Sequence, residues 1–212
     1  MRKIHYRNIG FPKTGTTWLY HQLVLHPDID HKPQLMHKEF EGKSKEDYIK
    51  LYQNHDVSFN LRTNLFLVPD QLYHATHISM FLRNPYEILN SYHNYFKRFP
   101  NYNMNAKSFV SFDNWYFNSL TDMNKVFNDW NRHDIRFFFY DDLVSDPKKF
   151  LHDICDFIGI SKWYDPRINV VLKTNITEQL MFEDESILKY INRQIEITEN
   201  KTGRSLAHWK QK

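Results

Sequence analysis

With 212 residues and 41% hydrophobic side chains, the chain has enough material for one domain with a real core, and it reads as a single domain over 1–212. Lys and Arg number 28 against 25 Asp and Glu, and the resulting +3 is too slight a balance to argue for nucleic acid or an anionic membrane surface, while small anionic ligands stay open. The single cysteine, Cys155 in the apolar stretch FLHDICDFIGI, rules out an internal disulfide and reads as a buried inert thiol; no apolar run approaches a membrane span of about 18 residues, MRKIHYRNIGF is too short and polar for a signal peptide, and the chain therefore reads as soluble and cytoplasmic.

In chain order, the first β-prone run is HYRNIGF (5–11), and it leads into a loop, NIGFPKTGTTWLYHQL. Gly10 and Gly15 keep the spacing of the triphosphatase pattern G-x-x-x-x-G-K-[ST], yet Thr16 stands where the lysine belongs and the lysine lies three residues earlier as Lys13. A helix is expected from Thr16 to Leu25 and another at 44–54. HISMFL (77–82) is dense enough in apolar residues for a buried parallel strand, and it runs into Arg83. The helix that follows has Asn84 as cap, Pro85 at its first position and Glu87 at its third, with Ile88, Tyr92, Tyr95 and Phe96 at helical spacing.

A further helix is expected over 107–132, then a third buried strand, IRFFFY (135–140). Asp141 and Asp142 read as a solvated turn, after which Asp146 and Pro147 start a helix whose Phe150, Leu151, Ile154, Phe157 and Ile158 form one apolar face ending at Gly159. A last helix is expected over 185–200. Strand and helix alternation of this kind implies an α/β fold: a single three-layer domain, a mainly parallel central sheet with helices on both faces, and ligands at the carboxyl ends of the strands.

The loop after the first strand aims successive backbone N–H groups and a helix start at an anion, and Thr16 and Thr17 add hydroxyl donors. The whole string PKTGTTW resembles the 5′-phosphosulfate loop of the cytosolic and Golgi-type sulfotransferases, which bind 3′-phosphoadenosine 5′-phosphosulfate (PAPS). The resemblance implies a P-loop nucleotide-hydrolase-like fold, a site formed by Lys13, Thr14, Gly15, Thr16, Thr17 and Trp18, and a lysine near the oxygen that bridges phosphate and sulfate. Sulfuryl transfer is chiefly positioning and charge stabilisation of a group less negative than a γ-phosphate, so a magnesium clamp is dispensable. Arg83 also occupies the position where a triphosphatase usually offers a metal-shell aspartate.

FLRNPYEILNSYHNYF is similar to the family's 3′-phosphate segment, which assigns Arg83 and Ser91 to that phosphate. RFFFYDDLVSDP is similar to the family's stretch after a central strand and would bring Tyr140 near the adenine, with Trp18 flanking the ring; both read equally well as core aromatics. HKPQLMHKEFEG resembles the short K-E segment of the members that use a glutamate base, the glycosaminoglycan enzymes and several bacterial relatives. On that likeness Glu39 is the general base, Lys38 balances charge, His37 is the rival base, and an exposed charged loop is the bland alternative. ENKTGRSLAHWKQK matches two family endings without fitting either in register, leaving Lys201 and Arg204 as 3′-phosphate ligands or as part of a fraying polar terminus.

The resemblance thus implies an enzyme that moves a sulfuryl group from PAPS to a hydroxyl or amine of a small-molecule or glycan acceptor, leaves adenosine 3′,5′-bisphosphate (PAP), and needs no metal. Residues 55–76 and 97–130 are its acceptor-facing walls. The 12 histidines show no metal-ligand spacing, His21, His26, His31 and His37 falling at intervals that suit no single helical face. Two other readings stay open: a Mg-ATP-dependent small-molecule kinase with an altered loop, and a non-catalytic nucleotide-binding module.

Overall fold

Among the described residues, four parallel strands form one sheet. The computed structural model describes residues 3–30, 47, 50, 55–61, 75–129, 134–168 and 179–211. These fall into two compact units, one spanning 1–82 and 133–172, the other 83–132 and 173–212.

The first unit carries the sheet. Its strands are β1 (Ile4–Gly10), β2 (Val57–Leu61), β3 (His77–Leu82) and β4 (Ile135–Phe139), in the order β2-β1-β3-β4. Every neighbouring pair is parallel, with Tyr6 opposite both Phe59 and His77, Gly10 opposite Phe81, and Phe81 opposite Phe138. Side chains alternate between the faces of a strand, so Tyr6, Phe59, Phe81 and Phe138 share one face while Ile9, Met80, Leu82 and Phe139 point the other way. All eight are buried. A parallel sheet covered on both sides needs continuous apolar strands, which is why HISMFL and IRFFFY are legible as strands in the sequence.

On the Tyr6 face the core is completed by α1 (Thr16–Leu23), through Trp18, Leu19 and Leu23, and by the helix Pro147–Ile158, through Phe150, Leu151, Ile154 and Ile158. The latter helix starts as expected, Asp146 Oδ1 accepting from the Lys149 N–H at 2.9 Å, and stops at Gly159, which takes the left-handed conformation. Cys155 is buried there, and loss of water around it pushes the thiol up to about 11, the inert group anticipated from sequence.

The other elements depart from expectation in instructive ways. β2 falls inside a stretch read as an acceptor wall; Ser58 interrupts its apolar run and is nevertheless buried, its Oγ 2.7 Å from His5 Nδ1. Only 55–61 and 75–76 of that stretch lie within the described residues, and nearly all of the helix expected at 44–54 lies outside them. The first helix ends at Leu23, two residues earlier than the pattern suggests. Tyr140 opens a short helix, Tyr140–Ser145, so Asp141 and Asp142 lie in its first turn, where carboxylates complement the free N–H groups, and do not form a separate turn.

In the second unit the helix Pro85–Phe96 begins on its Asn84 cap, whose Oδ1 accepts from the Tyr86 N–H at 3.0 Å. The single helix expected over 107–132 is instead three pieces, Ala106–Phe109, Trp115–Thr121 and Met123–Asp129. Short polar side chains break it. Asn114 caps the second piece through Tyr116 N and returns its Nδ2 to Phe109 O, and Asp122 Oδ1 takes the Lys125 N–H. The last helix, Glu185–Thr202, matches its expected span closely and offers Gln194 Oε1 to Met123 N at 3.0 Å, capping the third piece from across the unit.

One contact fixes the carboxyl end of the sheet. Gly10 has φ +146, and a Cβ there would lie 2.8 Å from Phe81 O and 3.1 Å from Phe81 N, both backbone atoms that cannot swing aside. Gly10→Ala is expected to cost about 2–3 kcal/mol, from backbone strain and overpacking together. Urea unfolding monitored by circular dichroism checks this; a loss under about 0.5 kcal/mol would mean that the strand ends part easily.

Candidate active site: a phosphate-binding loop and an arginine-serine helix

The loop from Gly10 to Thr17 is built by three residues with positive φ: Gly10 at 146, Lys13 at 68 and Gly15 at 96. For Lys13 this is the left-handed region that a non-glycine residue enters at a cost, so the surrounding loop must hold it there. Part of that hold is Thr14, fully buried, whose hydroxyl donates to Phe11 O at 2.8 Å and ties the loop across its own neck. Gly15 is the cap residue of α1 and has no side chain to occupy the first-turn N–H groups. Those donors and the positive end of the helix dipole are therefore directed at whatever lies before Thr16 and Thr17, both half-buried.

Beneath the loop lies a feature that motif reading alone did not assign. A Cβ on Gly15 would fall 2.5 Å from Leu143 Cδ2 and 3.5 Å from the Tyr140 ring, so the short helix Tyr140–Ser145 is the floor on which the loop rests. That gives the YDDL string a physical role: its first and fourth residues face one way, one turn apart. Trp18 is buried in the core with its ring edge-on to Phe150, centroids 6.2 Å apart, and Tyr140 is buried in the same cluster. The i, i+3 spacing of Tyr140 and Leu143 was the available signal; what they touch was not readable from spacing.

The second unit holds the other candidate group. The chain passes from Leu82 at the end of β3 directly to Arg83, a side chain 10% exposed whose Nε donates to Glu87 Oε2 at 2.9 Å. Glu87 stands where a capping glutamate is expected, but it orients Arg83 one helical turn back. Ser91, two turns into the same helix, is 1% exposed, and its Oγ has no hydrogen-bond partner among the described residues. A buried hydroxyl left this way is costly and calls for a partner beyond the described residues.

The C-terminal segment is anchored and does not fray. Gly203 ends the helix Glu185–Thr202 in the left-handed conformation, Glu199 Oε1 accepts from Leu206 N at 2.6 Å, and Lys210 Nζ lies 3.0 Å from Glu199 Oε2. Those partners, Leu206 N–H first, hold the Glu199 carboxyl below its usual range. Trp209 is buried, and its carbonyl accepts from Asn84 Nδ2 at 3.3 Å, which brings the tail to the residue beside Arg83. Lys201 is exposed and Arg204 half-buried on the approach to that contact. His37, Lys38 and Glu39 lie outside the described residues. Among the described residues no group of three or more His, Cys, Asp or Glu is placed to hold a metal ion.

A parallel α/β sheet whose first strand ends in a glycine-spaced loop and a helix start defines a nucleotide-phosphate-binding fold of the P-loop type. The family is then given by comparison: the family model described as the sulfotransferase domain matches residues 8–210. The chain belongs to the PAPS-dependent sulfotransferase family and is an enzyme of that class.

Solved structures agree on the fold. A sulfotransferase from Alicyclobacillus acidocaldarius is similar over 99% of each chain at 15% identity and a TM-score of 0.64. The mouse sulfotransferase SULT7A1, solved in complex with PAP, is similar over 98% of this chain and 87% of its own at 18% identity and a TM-score of 0.55. The sulfotransferase domain from the curacin biosynthetic pathway aligns over 94% and 98% at 11% identity and a TM-score of 0.57. No curated protein sequence matches. No helix among the described residues is long and apolar enough to cross a membrane.

The tie inside the loop is testable without any ligand. Thr14→Val keeps the side chain's shape but leaves Phe11 O without its buried donor, and is expected to lower stability by about 1–3 kcal/mol, while Thr14→Ser retains most of it. Thermal melts of the two variants side by side check this; equal melting temperatures would show that the hydroxyl contributes nothing.

Proposed function

We propose that the chain transfers a sulfuryl group from PAPS to a hydroxyl or amine of a small-molecule or glycan acceptor, as one domain spanning 1–212. The observation that supports this most directly is Ser91: a buried hydroxyl with no partner among the described residues, on the helix that follows Arg83, a pairing that suits the 3′-phosphate separating PAPS from ordinary adenine nucleotides. Lys201 and Arg204 are further ligands for that phosphate, reached through the anchored tail.

The loop of the first unit suits a 5′-phosphosulfate. Lys13, Thr14, Gly15, Thr16 and Thr17 would hold the 5′-phosphosulfate, with N–H groups of the helix start and the Lys13 ammonium meeting the charge that grows on the bridging oxygen. The exchange itself is simple: one S–O bond to the nucleotide breaks, one S–O bond to the acceptor oxygen or nitrogen forms, and the acceptor's proton leaves. Glu39 takes that proton in this reading, Lys38 offsets its charge, and His37 is the rival. Tyr140, in the floor beneath the loop, and Trp18, in the core of the same unit, are the residues of the adenine side in this reading. The protein's own cations and oriented N–H groups do the electrostatic work, so no metal enters.

For the acceptor wall, the second unit offers a connected set of rings from the helix Pro85–Phe96 onward. Phe96 meets Tyr92, Tyr102 and Tyr116, Tyr95 meets Tyr92 and Phe99, and Tyr95 and Phe99 are exposed. Such rings stack on flat or C–H-rich faces, whether of a phenol or of a sugar.

Two substitutions test the assignments together. With radiolabelled PAPS and a panel of p-nitrophenol, octanol and glucosamine, Glu39→Ala is expected to lower turnover about 10²- to 10⁴-fold with PAP affinity nearly unchanged. Arg83→Ala is expected to weaken PAP by about 1.5–3 kcal/mol and to bind AMP and PAP equally. An unchanged rate would move the base to His37, and a retained preference for PAP would remove Arg83 from the 3′-phosphate.

A further inference from the structure

Among the described residues, every exposed Phe, Tyr or Trp side chain belongs to the stretch 95–115: Tyr95, Phe99, Phe112 and Trp115, the last 58% exposed. Single apolar side chains at a surface need no explanation, but Tyr95, Phe99 and Trp115 belong to one contiguous set. Phe99 meets Tyr95 with ring centroids 5.3 Å apart, Tyr95 meets Phe96 at 5.8 Å, Phe96 meets Tyr116 at 5.0 Å, and Tyr116 meets Trp115 at 5.1 Å. These rings sit on held backbone. Bonds from Lys97 N to His93 O, Arg98 N to Tyr95 O, Phe99 N to Phe96 O and Tyr102 N to Phe99 O continue the helix Pro85–Phe96 into a run of turns. The run ends at Tyr102, whose hydroxyl lies 2.8 Å from Nδ1 of the buried His93. Asn114 caps the helix that Trp115 opens and donates its Nδ2 to Phe109 O at 2.8 Å.

The same stretch is one-signed. From 88 to 112 the sequence holds Lys97, Arg98 and Lys107, all exposed, and no Asp or Glu. With these three set aside, the 28 Lys and Arg of the chain fall to 25, equal to its Asp and Glu, so the slight overall charge of +3 is concentrated here. The carboxylates that flank the stretch are Glu87, bonded to Arg83, and Asp113. Rings beside unbalanced cations suit a single-stranded nucleic acid or an anionic lipid surface, and the ring angles decide between them. Tyr95 and Phe99 are inclined at 73°, Tyr95 and Phe96 at 68°, and Trp115 and Tyr116 at 73°. Successive bases need successive open ring faces, which neighbours set edge to face do not offer together. One ring can still stack on an acceptor; the set cannot. A bilayer interface makes no such demand, since it takes amphipathic rings in any orientation, their apolar area out of water and their polar tips among the headgroups.

We propose that this surface of the second unit docks on an anionic lipid bilayer, with Trp115, Tyr95 and Phe99 entering the interface and Lys97, Arg98 and Lys107 meeting the headgroups. The attachment is peripheral and reversible, and no segment crosses the membrane. Two modest terms act together. Each cation near an anionic surface contributes about fivefold in affinity, a term that salt screens. Burial of the rings supplies the part that salt does not remove. The proposal goes beyond the sulfuryl-transfer reading and does not rest on it, so either can fail while the other stands.

The experiment is co-sedimentation of the full chain with two kinds of vesicle, phosphatidylcholine alone and phosphatidylcholine with phosphatidylglycerol at about 2:1, each at low and high salt. Binding at low salt is expected to be about 100-fold tighter on the anionic vesicles, and to fall steeply as salt is raised. Lys97→Gln combined with Arg98→Gln is expected to weaken anionic binding about 25-fold and Trp115→Ala about tenfold, with thermal melts showing that each variant is folded. Brominated lipid gives a reading that needs no lost ring: it is expected to quench tryptophan emission of the unmodified chain and to spare that of Trp115→Phe. No binding to anionic vesicles at low salt overturns the proposal, as does equal binding to the neutral ones. Full binding by the folded variants overturns it too, by placing the contact elsewhere. So does Trp115-dependent binding of a single-stranded oligonucleotide, or a Trp115-dependent dimer in ultracentrifugation, by a chain that ignores both vesicles.

Discussion

Everything in the first unit depends on the close pairing of β1 and β3 out to their last residues. At Gly10 the two backbones approach so closely that a single methyl group would meet Phe81 O at 2.8 Å. Because the pairing persists to that point, the chain leaves the sheet abruptly and must turn within a few residues to enter α1. The turn takes three positive φ values, two at glycines and one at Lys13. A loop so constrained has few ways to relax, and its N–H groups are held ready before any ligand arrives, which is how preorganised donors contribute most to a reaction that is largely electrostatic.

The same constraint accounts for the floor of the site. Gly15 cannot carry a side chain because Leu143 already occupies that space, and Leu143 is there because Tyr140 starts a helix at the moment β4 ends. Two strand ends therefore cooperate, β1 supplying the loop and β4 the support. In the second unit Glu87 aims Arg83, Asn84 caps the helix and receives the returning tail at Trp209, and Ser91 is a buried hydroxyl with no partner among the described residues.

Much of this was legible in the residues. The strands at 77–82 and 135–139 announce themselves because a parallel sheet buried on both faces tolerates few polar interruptions. The helix at 85–96 is marked by Asn84 and Pro85, and the one at 147–158 by Asp146, Pro147 and Gly159. β2 was hidden because Ser58 is satisfied by His5, a partner 53 residues away that no local pattern can reveal. The helix expected over 107–132 was broken by Asn114 and Asp122, whose side chains compete with the helical ladder through bonds that periodicity does not count. At the site, PKTGTTW and the Arg83–Ser91 spacing were readable as motifs. The bonds from Asp30 to the Asp56 and Val57 amides were not, since those partners lie 26 and 27 residues further along the chain.

The claim on which the proposed function stands is that the chain selects a 3′-phosphorylated adenine nucleotide without metal. Isothermal titration of the unmodified chain tests it most directly, with PAP in EDTA in one cell and ATP with excess magnesium in the other. The account predicts saturable PAP binding that magnesium does not strengthen, and ATP binding weaker by about tenfold or more. Magnesium-dependent ATP binding as tight as that of PAP would contradict it.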